Sequence, residues 1–446
     1  MNKVLEEVGH STYSVCFDGT YRCDCFDVGI LFINAEGQII QRVLLLSMLT
    51  KSMDIVAING EVMKILVDVY KLDRNRCRAF MLDGCAANLK ALESLLINFP
   101  NAVGVRCFSH LLNNCGNELA SEEVDKFAGH LHVLLAHSQN AKDLWVQETK
   151  VSPPKPVSHR WSSRFSRNQI LLLIWQRLKL FVDKFTSTEE SRSKAARSLR
   201  EDLARVRPDG IHQELVLQLG FSMAVDVGIH LTRAIHLLEG DRFLVSGSGL
   251  SLNVNAGGVF DDKVNMPNVR ALIREYCLRL EDEDDDVSTL EVRLGEGFGE
   301  VRLIGDHAAA EQRATIRLFE AARLLNFTYV KQHELDAADV DTLQEVFPFV
   351  TPTALLQLVV EKDQYNITAS DADAAYDLWT FWHDNRLKMP AWYDVAKDVA
   401  LIQPSSAFME RVFSTIRACM DERQEQCYSD RIAASALLKY NRRAAK

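Results

Sequence analysis

The sequence predicts an α/β protein: a mixed sheet with flanking helices early in the chain, followed by a long, mainly α-helical stretch. Three observations carry this. The first fifty residues hold three apolar runs separated by short polar breaks. The apolar period then switches from that of a strand to that of a helix. From about residue 186 onward nearly every apolar pattern is helical.

The runs TYSVCFD (12–18), FDVGILFI (26–33) and IIQRVLLLS (39–47) read as strands, the third entered through a turn at AEGQ. Connections this short join antiparallel neighbours, so the three form a meander. Residues 54–70 carry Val62, Ile65, Leu66 and Val69 at helical spacing. RCRAFMLD (76–83) is a further strand, ANLKALESLLINF (87–99) a helix and VGVRCF (103–108) a strand, and a helix opens near His110. The order β-β-β-α-β-α-β-α needs crossover connections, which makes the sheet mixed. The prolines of SPPKP mark 148–160 as a linker, and one long helix is expected from Asn168 to about Phe185. Residues 186–210 are charged and poor in large apolar side chains, which suits either a solvated helix or a mobile connection. Residues 211–240 predict one or two helices, 245–258 a loop rich in Gly and Ser, and 290–304 a hairpin. Helical spacing returns at 311–331, 341–360 and 371–387, with no internal repeat and no sustained heptad.

A length of 446 residues predicts two or three domains. The ten cysteines are scattered without a CxxC pair, which points to a reducing compartment. No uninterrupted apolar stretch approaches twenty residues, so no membrane partner is expected. The net charge of -10 argues against a surface that is a nucleic-acid glove throughout, and leaves room for a local basic strip. Part of the acid is concentrated in EDEDDD (281–286), a block that commonly means a disordered loop.

Asp18 closes the first strand and Asp83 the fourth. In a meander joined to crossovers these two strands can be neighbours, which brings both carboxylates to one sheet edge. Paired carboxylates bind a divalent cation, because like charges at short range are costly until a cation neutralises them. A third carboxylate is offered by PSSAFMERVFSTIR (404–417), where Phe408, Val412 and Ile416 lie at i, i+4, i+8, with Met409 and Phe413 beside them. Glu410 falls on the flank of that helix, between Ser406 and Ser414. By spacing alone, a flank Glu beside an Arg such as Arg411 is most often an ordinary solvated helix residue.

The C-terminal stretch PSSAFMERVFSTIRACMDERQEQCYSDRIAASALLKYNRR resembles the dimerisation region of hAT-family transposases. In the family's order stand FDGT with Asp18, LDGCAANLKAL with Asp83, CFSHLLNN with Cys107 and His110, and HRWSSRF with Arg160, Trp161 and Arg164. The resemblance implies a ribonuclease-H-like core (8–185) interrupted by a mainly helical insertion (186–395). The chain's last residues (396–446) complete that core and form the dimerisation region. It also implies that Asp18, Asp83 and Glu410 are catalytic and hold Mg2+ or Mn2+ for cleavage and strand transfer of DNA. Cys107 and His110 would lie near the transposon end, and Trp161 would stack on a flipped base, although an interface anchor fits Trp161 and its arginines as well. Phe408, Val412, Phe413 and Ile416 serve as core or dimer residues. No structural zinc is expected at Cys107 and His110, since no second ligand pair stands at suitable spacing. The expected partners are DNA and a second copy of the chain, in the nucleus. Family members commonly carry a zinc-finger domain ahead of the core, and this chain is expected to lack it. The alternative is a protein of the same fold whose catalysis has lapsed and which self-associates on DNA or chromatin.

Overall fold

The computed structural model describes residues 2–20, 25–48, 53–118, 121–154, 161–187, 193–208, 210, 212–239, 317–318, 320–373, 376, 378–419 and 429–443. The loop expected at 245–258, the acidic block at 281–286 and the hairpin expected at 290–304 lie outside these residues. The chain forms two compact units, Leu112–Ile235 on one hand and Met1–Leu111 with His236–Lys446 on the other.

The larger unit is built on five strands: β1 (Tyr13–Thr20), β2 (Cys25–Ile33), β3 (Ile39–Met48), β4 (Cys77–Leu82) and β5 (Val103–Arg106). Their order is β3-β2-β1-β4-β5. β1 pairs antiparallel with β2 and β2 with β3, while β4 runs parallel to β1 and to β5. This mixed sheet with flanking helices, followed by a long helical region, is the ribonuclease-H-like arrangement. A short helix, α1 (Asn2–Val8), precedes β1 and was not legible in the sequence pattern. Its Glu7 pairs with the buried Arg42 of β3 at 2.8 Å.

One face of the sheet carries Val15, Phe17, Phe26, Val28 and Phe80, packed with residues of α2 (Ile55–Met63) and α3 (Ala86–Asn98) such as Val62, Leu92 and Leu95. The helix expected over 54–70 is an α-helix only as far as Met63 and continues as a π-helical turn over Lys64–Val69. Asp54 caps its start, accepting from the Ala57 N–H at 2.8 Å. α4 (Phe108–Glu118) follows β5.

Within Leu112–Ile235 lie α5 (Glu122–His137), α6 (Gln139–Thr149), α7 (Trp161–Leu173), α8 (Trp175–Ser187), α9 (Lys194–Ala204) and most of α10 (Gln213–Glu239). The single helix expected from Asn168 to Phe185 is two, α7 and α8, broken at Ile174. The core of this unit includes Phe127, Trp145, Trp175, Phe181 and Phe221. The charged stretch 186–210 contains α9, which buries Ala196 and Leu199. Its Asp202 pairs with His130 of α5 at 2.9 Å.

In the larger unit the chain continues as α11 (Phe327–Gln332), α12 (Ala337–Val346), α13 (Pro352–Asp371), α14 (Leu378–Asn385) and α15 (Pro390–Ala400). The helical spacing over 341–360 spans two helices, because Thr351 caps a new start and Pro352 takes its first position, where a missing N–H costs nothing. Tyr365, Phe381, Trp382 and Trp392 pack here edge to face and tilted. The indole N–H of Trp382 donates to the Leu325 carbonyl and that of Trp392 to the Leu358 carbonyl, both at 3.0 Å.

The second face of the sheet receives the C-terminal helices. α16 (Ala407–Cys419) packs against β1 and β2, and α17 (Ser429–Arg443) against the edge strand β3. A bare strand edge is a template for unwanted pairing. Here the Asn441 side chain occupies that edge: its Oδ1 accepts from the Val43 N–H at 3.0 Å and its Nδ2 donates to the Val43 carbonyl at 3.1 Å. Val43 is fully buried. Asn441→Ala therefore leaves two backbone groups without partners and should cost about 1–3 kcal/mol. Urea unfolding monitored by circular dichroism checks this, and a midpoint equal to the wild type's would refute it.

Candidate active site

The second face carries Asp18 of β1 and Asp27 of β2 as cross-strand partners. Cys16 of β1 stands opposite Met81 of β4 in parallel register. Asp18 lies two residues beyond Cys16 in β1, and Asp83 two residues beyond Met81, just past the end of β4. Side chains alternate along a strand, so Cys16 and Asp18 share one face of β1, the face on which Met81 of β4 stands. Asp18 is 6% exposed, and its Oδ1 accepts from the Gly19 N–H at 2.7 Å. Asp83 is half-buried at the mouth of α3. Its Oδ1 takes two hydrogen bonds, from the Cys85 N–H at 3.1 Å and from the Asn88 amide at 2.7 Å. Both bonds fix the carboxylate through one oxygen.

Gly84 follows directly. A Cβ at this position would lie 2.6 Å from Nη2 of Arg106, so the absence of a side chain lets the guanidinium lie over the turn. This puts a cationic group from the end of β5 beside Asp83.

Sequence reasoning missed Asp27. It is the cross-strand partner of Asp18 and lies on the same face. Asp27 is 0% exposed, and neither carboxylate oxygen has a hydrogen-bond partner. Burial, together with the neighbouring charge of Asp18, pushes its carboxyl well above the usual carboxylate range. The signal was a lone Asp inside the apolar run FDVGILFI, but its significance depends on the β1–β2 register.

Next along the same face, Cys16 pairs with Gly29. A Cβ on Gly29 would sit 2.2 Å from Cε1 of Phe408 and 2.6 Å from Cε of Met409. Glycine is required here so that the first turn of α16 can lie directly on β2. The approach to that turn is tied down at several points. The Gln403 N–H donates to the Met81 sulfur at 3.2 Å, the Phe108 N–H to the Pro404 carbonyl at 2.9 Å, and the Ser406 N–H to the Cys107 sulfur at 3.3 Å. Ser405 Oγ then accepts from the Ala407 N–H at 2.9 Å. Glu410 follows Met409 in the helix so positioned; its side chain lies outside the described residues.

Cys107 is 3% exposed. Burial pushes its thiol up, but hydrogen bonding and charge from His110, with hydrogen bonds from Ser406, outweigh this and lower it to about 7. Cys107 and Phe108 thus fasten the junction of β5 and α4 to the strap that leads into α16. Phe408, Val412, Phe413 and Ile416 are all buried within the chain and act as core under α16.

The aromatic and basic candidates belong to the other compact unit. Trp161 opens α7, with its side chain outside the described residues, and Arg160 lies outside them altogether. Arg164 and Arg167 both pair with Asp125 of α5, at 3.6 and 2.9 Å. Among the described residues no group of three or more His, Cys, Asp or Glu side chains is arranged to hold a metal ion, and no helix is long and apolar enough to cross a membrane. Asp18 and Asp83 are oxygen donors of the kind a hard divalent cation takes.

Comparison with known families gives one match. Residues 359–441 correspond to the hAT family C-terminal dimerisation region. That region contains α14, α15 and α16 and most of α13 and α17. No curated protein matches the chain.

Proposed function

We propose that the chain is a transposase-derived protein of the hAT type whose core cleaves and joins DNA strands by divalent-metal phosphoryl transfer. The observation that supports this reading is the parallel pairing of β1, which bears Asp18, with β4, which Asp83 follows, in the sheet against which the helix of Glu410 packs. Asp18, Asp83 and Glu410 would hold Mg2+ or Mn2+, which supplies Lewis acidity to the scissile phosphate and activates the attacking oxygen. Asn88 keeps Asp83 oriented, and the strap at 403–407 sets the helix that bears Glu410. Arg160, Trp161 and Arg164 would track and stack DNA, with Cys107 and His110 supporting the site. In this reading 8–185 and 396–446 form the core, 186–395 is the insertion, and the protein acts in the nucleus as a self-associated species. The match to the dimerisation region supports self-association.

The test is Mn2+-dependent cleavage and strand transfer on pre-nicked and hairpin-forming DNA. Asp83→Asn should lower the rate about 100-fold or more, since losing a metal ligand forfeits several kcal/mol of transition-state stabilisation. A second reading, a self-associating protein on DNA or chromatin that no longer cuts, is favoured by the net charge of -10 and by the engagement of Arg164 with Asp125. DNA binding and self-association with equal absence of cleavage in both proteins would select it.

A further inference from the structure

We propose that the outward side of α13, built from Leu356, Val359, Val360 and Ile367, is the surface through which two copies of this chain associate. The inference rests on the self-associating reading above and names the contact that reading needs.

α13 is apolar on two sides. Leu358, Tyr365 and Ala369 recur at i, i+7 and i+11 and are fully buried, where the helix packs against α11, α12 and α15. That inner side is held in place: the Trp392 indole donates to the Leu358 carbonyl, and the Tyr365 ring packs with Trp382 and Trp392. Leu356, Val360 and Ile367 recur at i, i+4 and i+11 on the opposite side of the helix, so the same packing turns them outward. They are 68%, 82% and 58% exposed, with Val359 beside them. A surface helix ordinarily has one apolar side and a polar side opposite. A second apolar stripe, running along about three turns, marks a surface that a partner covers.

The partner follows from the rest of the matched region. Val359, Val360 and Ile367 fall within residues 359–441, which correspond to a dimerisation region. Phe408, Val412, Phe413 and Ile416 of that region are buried within the chain, so they are closed to a second copy. Among its described residues the other large apolar side chains that stay exposed, Tyr376, Leu387 and Leu438, belong to three different segments. Polar groups along the α13 stripe already have partners inside the chain: Lys362 pairs with Asp363 at 2.8 Å, and the Gln364 amide donates to the Thr368 hydroxyl at 3.1 Å. Covering the stripe therefore leaves no charge unpaired. A single helix face can meet its own copy across a twofold axis, which is the isologous contact of a homodimer.

The experiment is sedimentation equilibrium on the full chain, comparing wild type with Val360→Glu and Ile367→Glu. Ile367→Ala trims the contact without adding charge, and Val56→Glu, at a similarly exposed apolar residue of α2, controls for added charge. Circular dichroism establishes that each variant folds. The expected result is a dimer dissociation constant raised at least about tenfold in Val360→Glu and Ile367→Glu, raised less in Ile367→Ala and unchanged in Val56→Glu. A dimer of wild-type affinity in both α13 glutamate variants would overturn this inference and leave self-association in place through another surface. Equal weakening by Val56→Glu would overturn it too. A wild-type chain that stays monomeric would overturn both the inference and the self-associating reading.

Discussion

Gly29→Ala will destabilise the larger unit and lift the helix that bears Glu410. A single methyl at this position meets the Phe408 ring at 2.2 and 2.6 Å and the Met409 terminal methyl at 2.6 Å, all far inside van der Waals contact. Met409 is flexible enough to yield. Phe408 is not, because its ring is buried and packs against Tyr440 of α17 at 5.6 Å. Relief therefore requires α16 to move outward, at the roughly 1–3 kcal/mol typical of an overpacked core. The loss should appear as a lower urea midpoint with an unchanged slope. The double variant Gly29→Ala with Phe408→Ala separates the mechanism from a general intolerance of β2. If the clash is with the ring, the two losses will be less than additive. Full additivity, or a single variant as stable as the wild type, would mean that the close approach of α16 to β2 is not what requires glycine.

The second large effect is at the junction of α15 with the sheet. Asp398 accepts from Arg78 Nε of β4 at 2.7 Å and from the Thr12 hydroxyl at 2.6 Å. Arg78 also lies over the Phe349 ring, 5.0 Å from its centre. Both charged side chains are largely buried. Asp398→Ala leaves the guanidinium without its carboxylate and should cost about 3–5 kcal/mol, whereas replacing both partners by apolar residues of similar volume should cost much less. The titration has a definite sign. Burial raises the Asp398 carboxyl above its ordinary value even though Arg78, Thr12 and Lys397 pull it down. The folded state therefore holds the proton more tightly than the unfolded chain does. Its contribution to stability is fully present below the ordinary carboxylate range and is lost as the pH rises through the raised folded value. Asp398→Ala should abolish that decline. A stability curve whose pH dependence above the carboxylate range matches the wild type's would contradict the assignment.

The strands were legible because each is a short apolar run bounded by turn or polar residues, and the short connections marked the first three as a meander. Register was not. Nothing in FDVGILFI announces that Asp27 faces Asp18, because that pairing depends on where the β1–β2 turn closes. Helix existence was easier to read than helix ends. Thr351 and Pro352 carry a clear start signal inside what periodicity alone reads as one segment, while the break at Ile174 has no Pro or Gly to mark it. α5 and α6 passed unread, although Ser121 and Ser138 cap them through their side chains. α1 is only seven residues long, too short for periodicity to show. Asp83 stands just past the end of β4 as expected, whereas Asp18, read as the close of the first strand, lies inside β1, which runs on to Thr20; the helical stripe of Phe408, Val412 and Ile416 correctly marked a buried face. What the sequence could not reveal is the work of Gly29 and Cys107. Each depends on a contact with α16 or the strap before it, hundreds of residues away along the chain.

Those contacts make Glu410 the sharpest test of the proposed active site, because its helix reaches the acid-bearing face only through long-range packing. The decisive measurement is the rate of Mn2+-dependent DNA cleavage by Glu410→Gln against wild type, with both proteins shown to be folded and equally self-associated. The account predicts a loss of about 100-fold or more, the scale of a metal ligand removed from a phosphoryl-transfer site. Cleavage by the variant at the wild-type rate would contradict it.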